Sequence, residues 1–585
     1  MMHKQRQLDP HLFKDLVDKG CPKLLAHCLA GRNLASADDH LSQLSRLPAA
    51  RDLKDMAAAS QRVFEAIERA EPIVVVGDYD ADGATATATL MLGLRRMGAV
   101  CAFIVPDRFR LGYGISRALI EELLIRGDPN DPTPKLLITV DNGINAVDAV
   151  AFANAQGIEV IVTDHHLPGA QLPDCLVVDP HRSDCSFPFK TIAGVGLAFY
   201  LLISVRALIA KAKPNEKPAR IDDLLPLVAL GTVADLVRLC ANNRRLVTQG
   251  LLRLREGLAP LGLLALFEAA GRDASQANAS DFGYAIAPML NAAGRLTEMT
   301  LGITCLIEND PIQAKAMAEE LRALNQERKQ IQQEQSEQAL AMAEVVVNSA
   351  PAANALVVSH PQWHEGVVGL IASRLKERWG VPVFAFAPSR DRPDLLKGSG
   401  RSVSDVHLRD CLARVDSLKP GLLDRFGGHA MAAGLTLQSD RLKDFESCLS
   451  QAMEELFSST TRATTGRDCL LTDGPLTRHQ LHLESALALE DQVWGQGFET
   501  PLFANDFQVL HQQVLKERHL RLRLGLVEEG DSPWAGEPLE AIWFHAPLPI
   551  AARLTLAYRL AVNRFRGWPA LQLEVVADLG NEKLQ

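Results

Sequence analysis

Four stretches of this chain set carboxylates or imidazoles directly after apolar runs. Val74-Val75-Val76-Gly77 leads into Asp78-Tyr79-Asp80-Ala81-Asp82-Gly83, Leu137-Ile138-Thr139-Val140 into Asp141-Asn142-Gly143, and Val160-Ile161-Val162-Thr163 into Asp164-His165-His166. A helix-like stretch over 225–233 leads to Asp235. Taken singly, an Asp after a strand reads as a helix N-cap or a turn residue, and paired histidines read as ordinary polar side chains. Taken together they make a different case. Carboxylates gathered at one place repel one another unless a cation neutralises them. With two imidazoles added, the oxygen and nitrogen donors suit Mn2+, Mg2+ or Zn2+. No thiolate stands at these corners, which argues against structural zinc. Carboxylates and histidine around two metals form the pattern for phosphoester hydrolysis, in which metal activates water and steadies the charge on phosphate.

The elements that must position these residues are strands of an open α/β sheet, where ligands sit beyond the carboxyl ends. Ile73–Val76, Leu136–Val140, Glu159–Thr163 and Leu176–Val178 are short β-branched runs separated by helical stretches, the texture of βαβ units and a parallel sheet. Residues 1–70 read as helices with a polar register, for example 52–69, and 241–305 as helical and connecting. A long polar helix is expected over 308–347, capped by Asp310 with Pro311 in its first turn. Its apolar stripe is Met317, Leu321, Leu324 and Ile331, as in a helix that bridges two domains. A second α/β texture comes next, with strands at 355–358 and 381–387 around a helix over 367–378. The Ser/Thr-rich break at 458–466 reads as a linker. Short strands at 507–515, His519–Leu526, 540–545 and 570–576 suggest a small C-terminal β-barrel.

The 585 residues hold roughly three to five domains. Apolar residues at 47% and charged residues at 23% exclude a mainly disordered chain. Lys and Arg number 61 against 71 Asp and Glu, a net charge of −10, so any nucleic-acid binding must rest on local basic faces rather than on the total. No apolar run comes after the basic N-terminal residues, so no signal peptide is expected. The longest uncharged apolar-rich stretch, between Lys190 and Arg206, is 15 residues, short of the ~20 that cross a bilayer. Ten cysteines without a C-x-x-C pair point to a reduced cytoplasmic protein rather than a disulfide framework, and no membrane partner is expected.

The motifs GDYDADG, VDNG, TDHH and GTVAD, in this order, resemble those of the DHH phosphoesterase family. Lys397-Gly398-Ser399-Gly400-Arg401-Ser402 and Phe426-Gly427-Gly428-His429 resemble the DHH-associated domain. Leu290-Asn291-Ala292-Ala293-Gly294-Arg295 and Trp494-Gly495-Gln496-Gly497-Phe498 resemble the RecJ subgroup of single-stranded-DNA-specific exonucleases. The resemblance covers about residues 70–577. It implies an α/β phosphoesterase domain with a parallel sheet (71–307) after an N-terminal helical segment (1–70), a connecting helix (308–350), and a smaller α/β DHH-associated domain, DHHA1 (351–457). An OB-like single-stranded-DNA-binding barrel (467–585) ends the chain.

The activity implied is 5′→3′ degradation of single-stranded DNA to 5′-mononucleotides with two ions of Mg2+ or Mn2+, serving recombination and repair. Single-stranded DNA is the partner, with a single-stranded-DNA-binding protein and a helicase as associates. Carried over by motif, Asp78, Asp80, Asp82, Asp141, His165 and Asp235 are metal ligands, with Asp141 shared by both ions. Asp164 and His166 are catalytic, orienting ligands or phosphate. Asn291, Arg295, Arg374, Ser399, Arg401 and His429 bind substrate. Two departures stand out: Val76 and Met289 occupy positions where many relatives carry His and Arg, the latter a phosphate contact.

Several residue-level expectations accompany this. Ser399-Gly400-Arg401 and Gly427-Gly428-His429 read as backbone and side-chain donors to a phosphate. Residues 351–430 carry 11 Lys and Arg against 8 Asp and Glu, a local +3. Gly194-Val195-Gly196 reads as helix packing. In the barrel, Lys516, Arg518, His519, Arg521, Arg523, Arg559, Arg564 and Arg566, interleaved with Tyr558, Phe565 and Trp568, suit backbone tracking and base stacking. Since every candidate ligand precedes residue 236, truncation near 460 is expected to leave a folded enzyme. The alternatives are a DHH-family hydrolase of short oligonucleotides or small phosphodiesters, and a catalytically silent DNA-binding scaffold.

Overall fold

Strand β1 (His3–Gln5), at the start of the chain, pairs in parallel with a strand of the C-terminal region. In this computed structural model the described residues are 3–580 other than 33, 109, 126–133, 350–353, 404–405, 457–469, 517, 528–534 and 566. The expected linker at 458–466 and Arg566 lie outside them.

The first sheet contains β2 (Ile73–Val76), β3 (Cys101–Ile104), β4 (Leu136–Val140), β5 (Glu159–Thr163) and β6 (Leu176–Val178), all parallel, in the order β3-β2-β4-β5-β6. Buried on both faces, β2 and β4 are unbroken apolar runs, as a covered parallel sheet demands. The chain leaves β2 toward β3 and then returns to the other side of β2 to build β4. That reversal makes the gap between the ends of β2 and β4 the topological switch point, where open α/β sheets take their ligands. The sequence missed β3 because it is an edge strand, mostly half-buried, behind a Gly-Ala turn.

Three helices pack behind this edge: α1 (Ala81–Arg96), α2 (Gly194–Ala212) and α3 (Leu225–Ala234). α2 outruns the 15-residue apolar stretch. At 19 residues it is long and apolar enough to cross a membrane, but half of it is buried inside the protein against α1 and α3, as in a core helix.

Helix α4 (Ala287–Leu296) precedes α5 (Pro311–Ser349), a single helix of 39 residues. Asp310 caps α5 by accepting from the Ile312 N–H at 2.8 Å. Met317, Leu321 and Leu324 pack on the first core, and Ile331 on a second one beyond it.

The second sheet has the order β10-β11-β9-β8-β7, from β7 (Leu356–Ser359), β8 (Val383–Pro388), β9 (Leu395–Arg401), β10 (Arg425–Gly428) and β11 (Ala432–Gln438), with α6 (Val368–Trp379) against it. Only β7 and β8 run parallel. The motif LLKGSGR is therefore a strand paired on both sides, so its backbone groups serve the sheet rather than a phosphate as expected. A Cβ at Gly398 or Gly400 would stand 2.4 or 2.7 Å from the rings of Phe386 and Phe384, so these glycines make room for core aromatics. Alternation then sends Ser399 and Arg401 to the opposite face.

β12 (Leu470–Thr472) is the partner of β1. Beyond it β13 (Phe503–Leu515), β14 (His519–Leu526), β15 (Ala535–Phe544), β16 (Arg553–Asn563) and β17 (Ala570–Asp578) close a barrel in the order β13-β14-β15-β17-β16. Its interior Phe503, Phe507, Leu522 and Leu556 are continuous with the core that holds Leu16, Met56 and the β2–β4 layer.

Polar ties add to this. Arg32 and Asp473 form a fully buried ion pair at 2.7 Å. The Trp494–Phe498 turn stacks its two rings 5.2 Å apart, with Arg32 over Trp494 and Arg244 over Phe498. The N-terminal segment is thus not only helical, and truncation near 460 would strip β1 and a shared core of their cover. The expectation of a stable truncated enzyme is withdrawn on that ground.

Candidate metal centre

The carboxyl ends of β2, β4 and β5 and the end of α3 meet at the switch point. Each sequence corner arrives there through its own backbone device. Asp80 caps α1, its Oδ1 accepting from the N–H groups of Asp82 (2.9 Å) and Gly83 (3.0 Å). Asp82, in the first turn of α1, is held by the N-terminus of α2: Gly194 N–H donates to Oδ2 at 2.7 Å and Val195 N–H to Oδ1 at 3.0 Å. A Cβ on Gly194 would lie 2.6 Å from that of Asp141, so the GVG stretch does more than pack helices: it lets α2 reach the acids. Asp141 sits at φ 62°, a left-handed turn rare outside glycine. Asn142 beside it anchors the loop, donating to the carbonyls of Val140 and Val76 and accepting from Ile115 N–H.

Overlapping ligand-like sets result. His165 Nε2 lies 2.9 Å from Asp141 Oδ1, 3.7 Å from Asp235 Oδ2 and 4.0 Å from Asp82 Oδ2. Asp82, His165 and Asp235 form one group, Asp78, Asp80 and Asp141 a second, and Asp141 also groups with His165 and His166. Despite their 2.9 Å separation, His165 Nε2 and Asp141 Oδ1 lack hydrogen-bonding geometry. Both atoms, and Asp78 Oδ1, are buried without a partner. Buried donor atoms aimed at one another without protons between them are what a cation site presents. Electrostatics agree: burial, and then the charge of Asp80, lifts Asp82 to about 7 and Asp78 well above the carboxylate range. Burial, then Asp82 and Asp80, raises Asp235 to about 9 and Asp141 strongly. Such a set costs stability unless positive charge enters, so the residues fit two divalent ions.

The two histidines part ways. Burial, then the charge of His166, lowers His165 to about 4, so its imidazole is neutral, and Nε2 lies buried without a partner toward the acids. For His166 burial works downward, but the hydrogen bond to Asp164 overrides it and lifts the imidazole to about 9. Asp164 is spent on this task. Its Oδ1 takes His166 Nδ1 at 2.7 Å and the N–H groups of His165 and His166, and its Oδ2 takes Ile144 N–H.

The second sheet faces this centre. His429 stacks on His166, ring centroids 6.3 Å apart and 15° from parallel. Its own N–H is taken by Ala432 O, so the side chain, not a backbone nest, is what it offers. Arg401 Nη1 donates to Ser399 Oγ at 2.9 Å. Burial, then Arg108, Arg328 and Arg401, lowers Arg295 to about 10. Positive charge from three other segments thus acts on Arg295.

Arg108 (after β3, over the Tyr79 ring at 4.5 Å) and Arg328 (on α5) were not legible as site residues. Asn291 Oδ1 accepts from Ala81 N–H at 2.9 Å, and so touches the acidic loop itself. Arg374 is exposed on α6. Met289, 2% exposed, and Val76, 1% exposed, point into apolar cores, so the positive charge comes from Arg295, Arg108, Arg328 and Arg401 instead.

The barrel is less free for DNA than its composition suggested. Arg521 and Arg523 share Glu540, Arg559 faces Glu574 and Arg564 pairs with Glu490. Tyr558 is core, whereas Phe565 (95% exposed) and Trp568 (81%) stand out between β16 and β17.

Residues 72–232 match the DHH family N-terminal domain, 352–455 the DHHA1 domain and 472–577 the RecJ OB domain. Over 594 aligned residues the chain is 41% identical to the single-stranded-DNA-specific exonuclease RecJ of Salmonella typhimurium, covering 99% of this chain and 100% of that protein. The chain belongs to the RecJ family. The RecJ of Escherichia coli is 41% identical over 568 residues, covering 94% of this chain and 95% of that protein. Among solved structures, RecJ of Thermus thermophilus in complex with Mn2+ is similar across 100% of this chain and 80% of that one, with a TM-score of 0.80 at 27% identity. An exonuclease RecJ bound to manganese matches with a TM-score of 0.60 and 33% identity over 72% of this chain and 99% of that one.

Proposed function

We propose that this RecJ-family chain is a metal-dependent exonuclease that degrades single-stranded DNA from the 5′ end to 5′-mononucleotides. The observation that carries the reading is the pair of acid and imidazole groups sharing Asp141 at the switch point, with half-buried arginines nearby. In this reading Asp82, His165 and Asp235 hold one Mg2+ or Mn2+ ion, Asp78 and Asp80 the other, and Asp141 serves both. When bound, such ions would supply activation of water at neutral pH and offset charge on the phosphate. Residues of the chain do the rest. Asp164 keeps His166 protonated and fixed, so that its imidazolium meets the scissile phosphate. Ser399, Arg401 and Arg295 grip the terminal phosphate through charge-assisted hydrogen bonds, with Arg108 beside them, and His429 closes the cleft over His166.

The barrel, which a small phosphodiester does not need, favours a polymeric substrate over the alternative of a small-molecule hydrolase. A cytoplasmic setting accords with the nine described cysteines, all free thiols. A single-stranded-DNA-binding protein and a helicase are the associates that a processing exonuclease would use. The test is release of nucleotides from strands labelled at either end, with and without chelator. Activity that survives exhaustive chelation, or release that starts at the 3′ end, overturns the corresponding part.

A further inference from the structure

Helix α4 touches both halves of the cleft. On the metal side, Asn291 Oδ1 accepts the Ala81 N–H at 2.9 Å, between Asp80 and Asp82. That N–H is among the first of α1, which lack partners within their own helix. Asp80 satisfies the next two, so Asp80 and Asn291 together fix the start of α1. One turn further on, the Gly294 backbone presses against the loop between Asp78 and Asp80: a Cβ there would sit 1.9 Å from Tyr79 O. Arg108 Nη1 closes the contact by donating to Gly294 O at 3.2 Å.

On the other side α4 meets the phosphate-binding half. Arg295 Nη1 donates to Gly366 O at 3.3 Å, and a Cβ on Gly366 would lie 2.1 Å from Arg295 O. Gly366 leads into α6, whose Gly369 lies against the Arg401 guanidinium and Ser399 Oγ, 2.9 and 3.0 Å from where its Cβ would be. An unbroken series of close contacts thus runs from Ser399 and Arg401 through Gly369, Gly366 and Arg295 to Asn291 and Gly294, and so to the loop bearing Asp78, Asp80 and Asp82.

We propose that α4 is a tie that sets the acidic loop in register with the phosphate-binding strand, and that Asn291 is a positioning residue for the metal centre rather than a contact to DNA. This rests on the two-cation reading above. A carboxylate pair displaced by a fraction of an ångström loses its common focus, and partners one shell out from a metal typically change affinity roughly 10–100-fold when removed.

The experiment uses the full-length protein. Mn2+ binding is followed by electron paramagnetic resonance without DNA, beside steady-state kinetics at varied Mn2+, for wild type, Asn291→Leu and Asn291→Asp. Asn291→Leu should raise the Mn2+ dissociation constant roughly 10–100-fold. Its kcat should fall at limiting Mn2+ and recover at saturating Mn2+, with KM for single-stranded DNA unchanged. Asn291→Asp keeps an acceptor for Ala81 N–H and should bind Mn2+ as well as wild type. Unchanged Mn2+ affinity in Asn291→Leu, with or without a raised KM, overturns the tie. If wild type itself takes up no Mn2+, the two-cation reading falls instead. Should Asn291→Leu fail to fold by circular dichroism, Asn291→Ala, which removes the acceptor without adding bulk, carries the same test.

Discussion

Stripping the metal should make this protein less stable as pH rises, against the usual trend for surface carboxylates. Asp82 lies at about 7 in the folded chain against an ordinary 3.8. A carboxyl raised on folding binds its proton more tightly in the native state, so the native state loses ground once the unfolded chain ionises. The loss starts near pH 4 and is complete near pH 7, and a gap of that size in a fully buried group corresponds to about 4 kcal/mol. Asp235, raised to about 9, extends the fall toward alkaline pH. His166, raised to about 9, acts in the same direction, because the stability it contributes below pH 6.5 is lost as pH passes its folded value. Bound cations replace the missing protons and remove most of this dependence. Differential scanning calorimetry with chelator and with Mn2+ should therefore give melting temperatures whose separation widens between pH 4 and pH 7, the window of the Asp82 gap. Asp141→Asn supplies the control. It removes the charge common to two of the groups and places an amide beside His165 Nε2, now 2.9 Å from Asp141 Oδ1. This variant should melt higher than wild type in chelator at pH 8, respond little to Mn2+, and retain DNA binding without cleavage. A separation that stays constant or narrows with pH would refute the reasoning.

Three other outcomes are expected from the cleft and the barrel. Arg401→Ala should raise KM and erase the preference for a 5′-phosphate over a 5′-hydroxyl end in competition assays. Arg401→Lys should not restore it, since an ammonium cannot make the two-pronged contact. Phe565→Ala and Trp568→Ala should each weaken long-strand binding by about 1–3 kcal/mol in fluorescence titrations, the worth of one stacked base, with cleavage of short oligonucleotides unchanged. A chain ending near 456 should be recovered aggregated in size-exclusion chromatography, because it leaves β1 unpaired and the barrel-facing core bare.

Much of the catalytic half was legible because its signals are local. Runs rich in β-branched residues and followed by Asp mark β2, β4 and β5, and their parallel connection dictates that the ends share one edge. The cap at Asp310 and the stripe on α5 arise from helical periodicity in the same way. The expectations that failed did so for lack of a local signal. β9 gives no apolar alternation because its inward positions are Gly398 and Gly400, and only the rings of Phe384 and Phe386 fill the space there. Arg108 and Arg328 resemble any solvated arginine, and Gly194 any packing glycine, until the fold supplies their neighbours.

The same distinction explains why the tail was misjudged. The distribution of chemistry along the chain placed every ligand before residue 236 and invited the view that the C-terminal region is an accessory. Stability is distributed differently. Arg32 meets Asp473, Arg244 meets Phe498, and β1 finds β12 across nearly the whole chain. A buried ion pair that loses one partner leaves an uncompensated charge, at a cost of about 3–5 kcal/mol, so the Arg32–Asp473 pair ties the N-terminal segment to the C-terminal region. The barrel is packed on the same core as the β2–β4 layer, so exposed Phe565 and Trp568 keep a constant relation to the acidic centre.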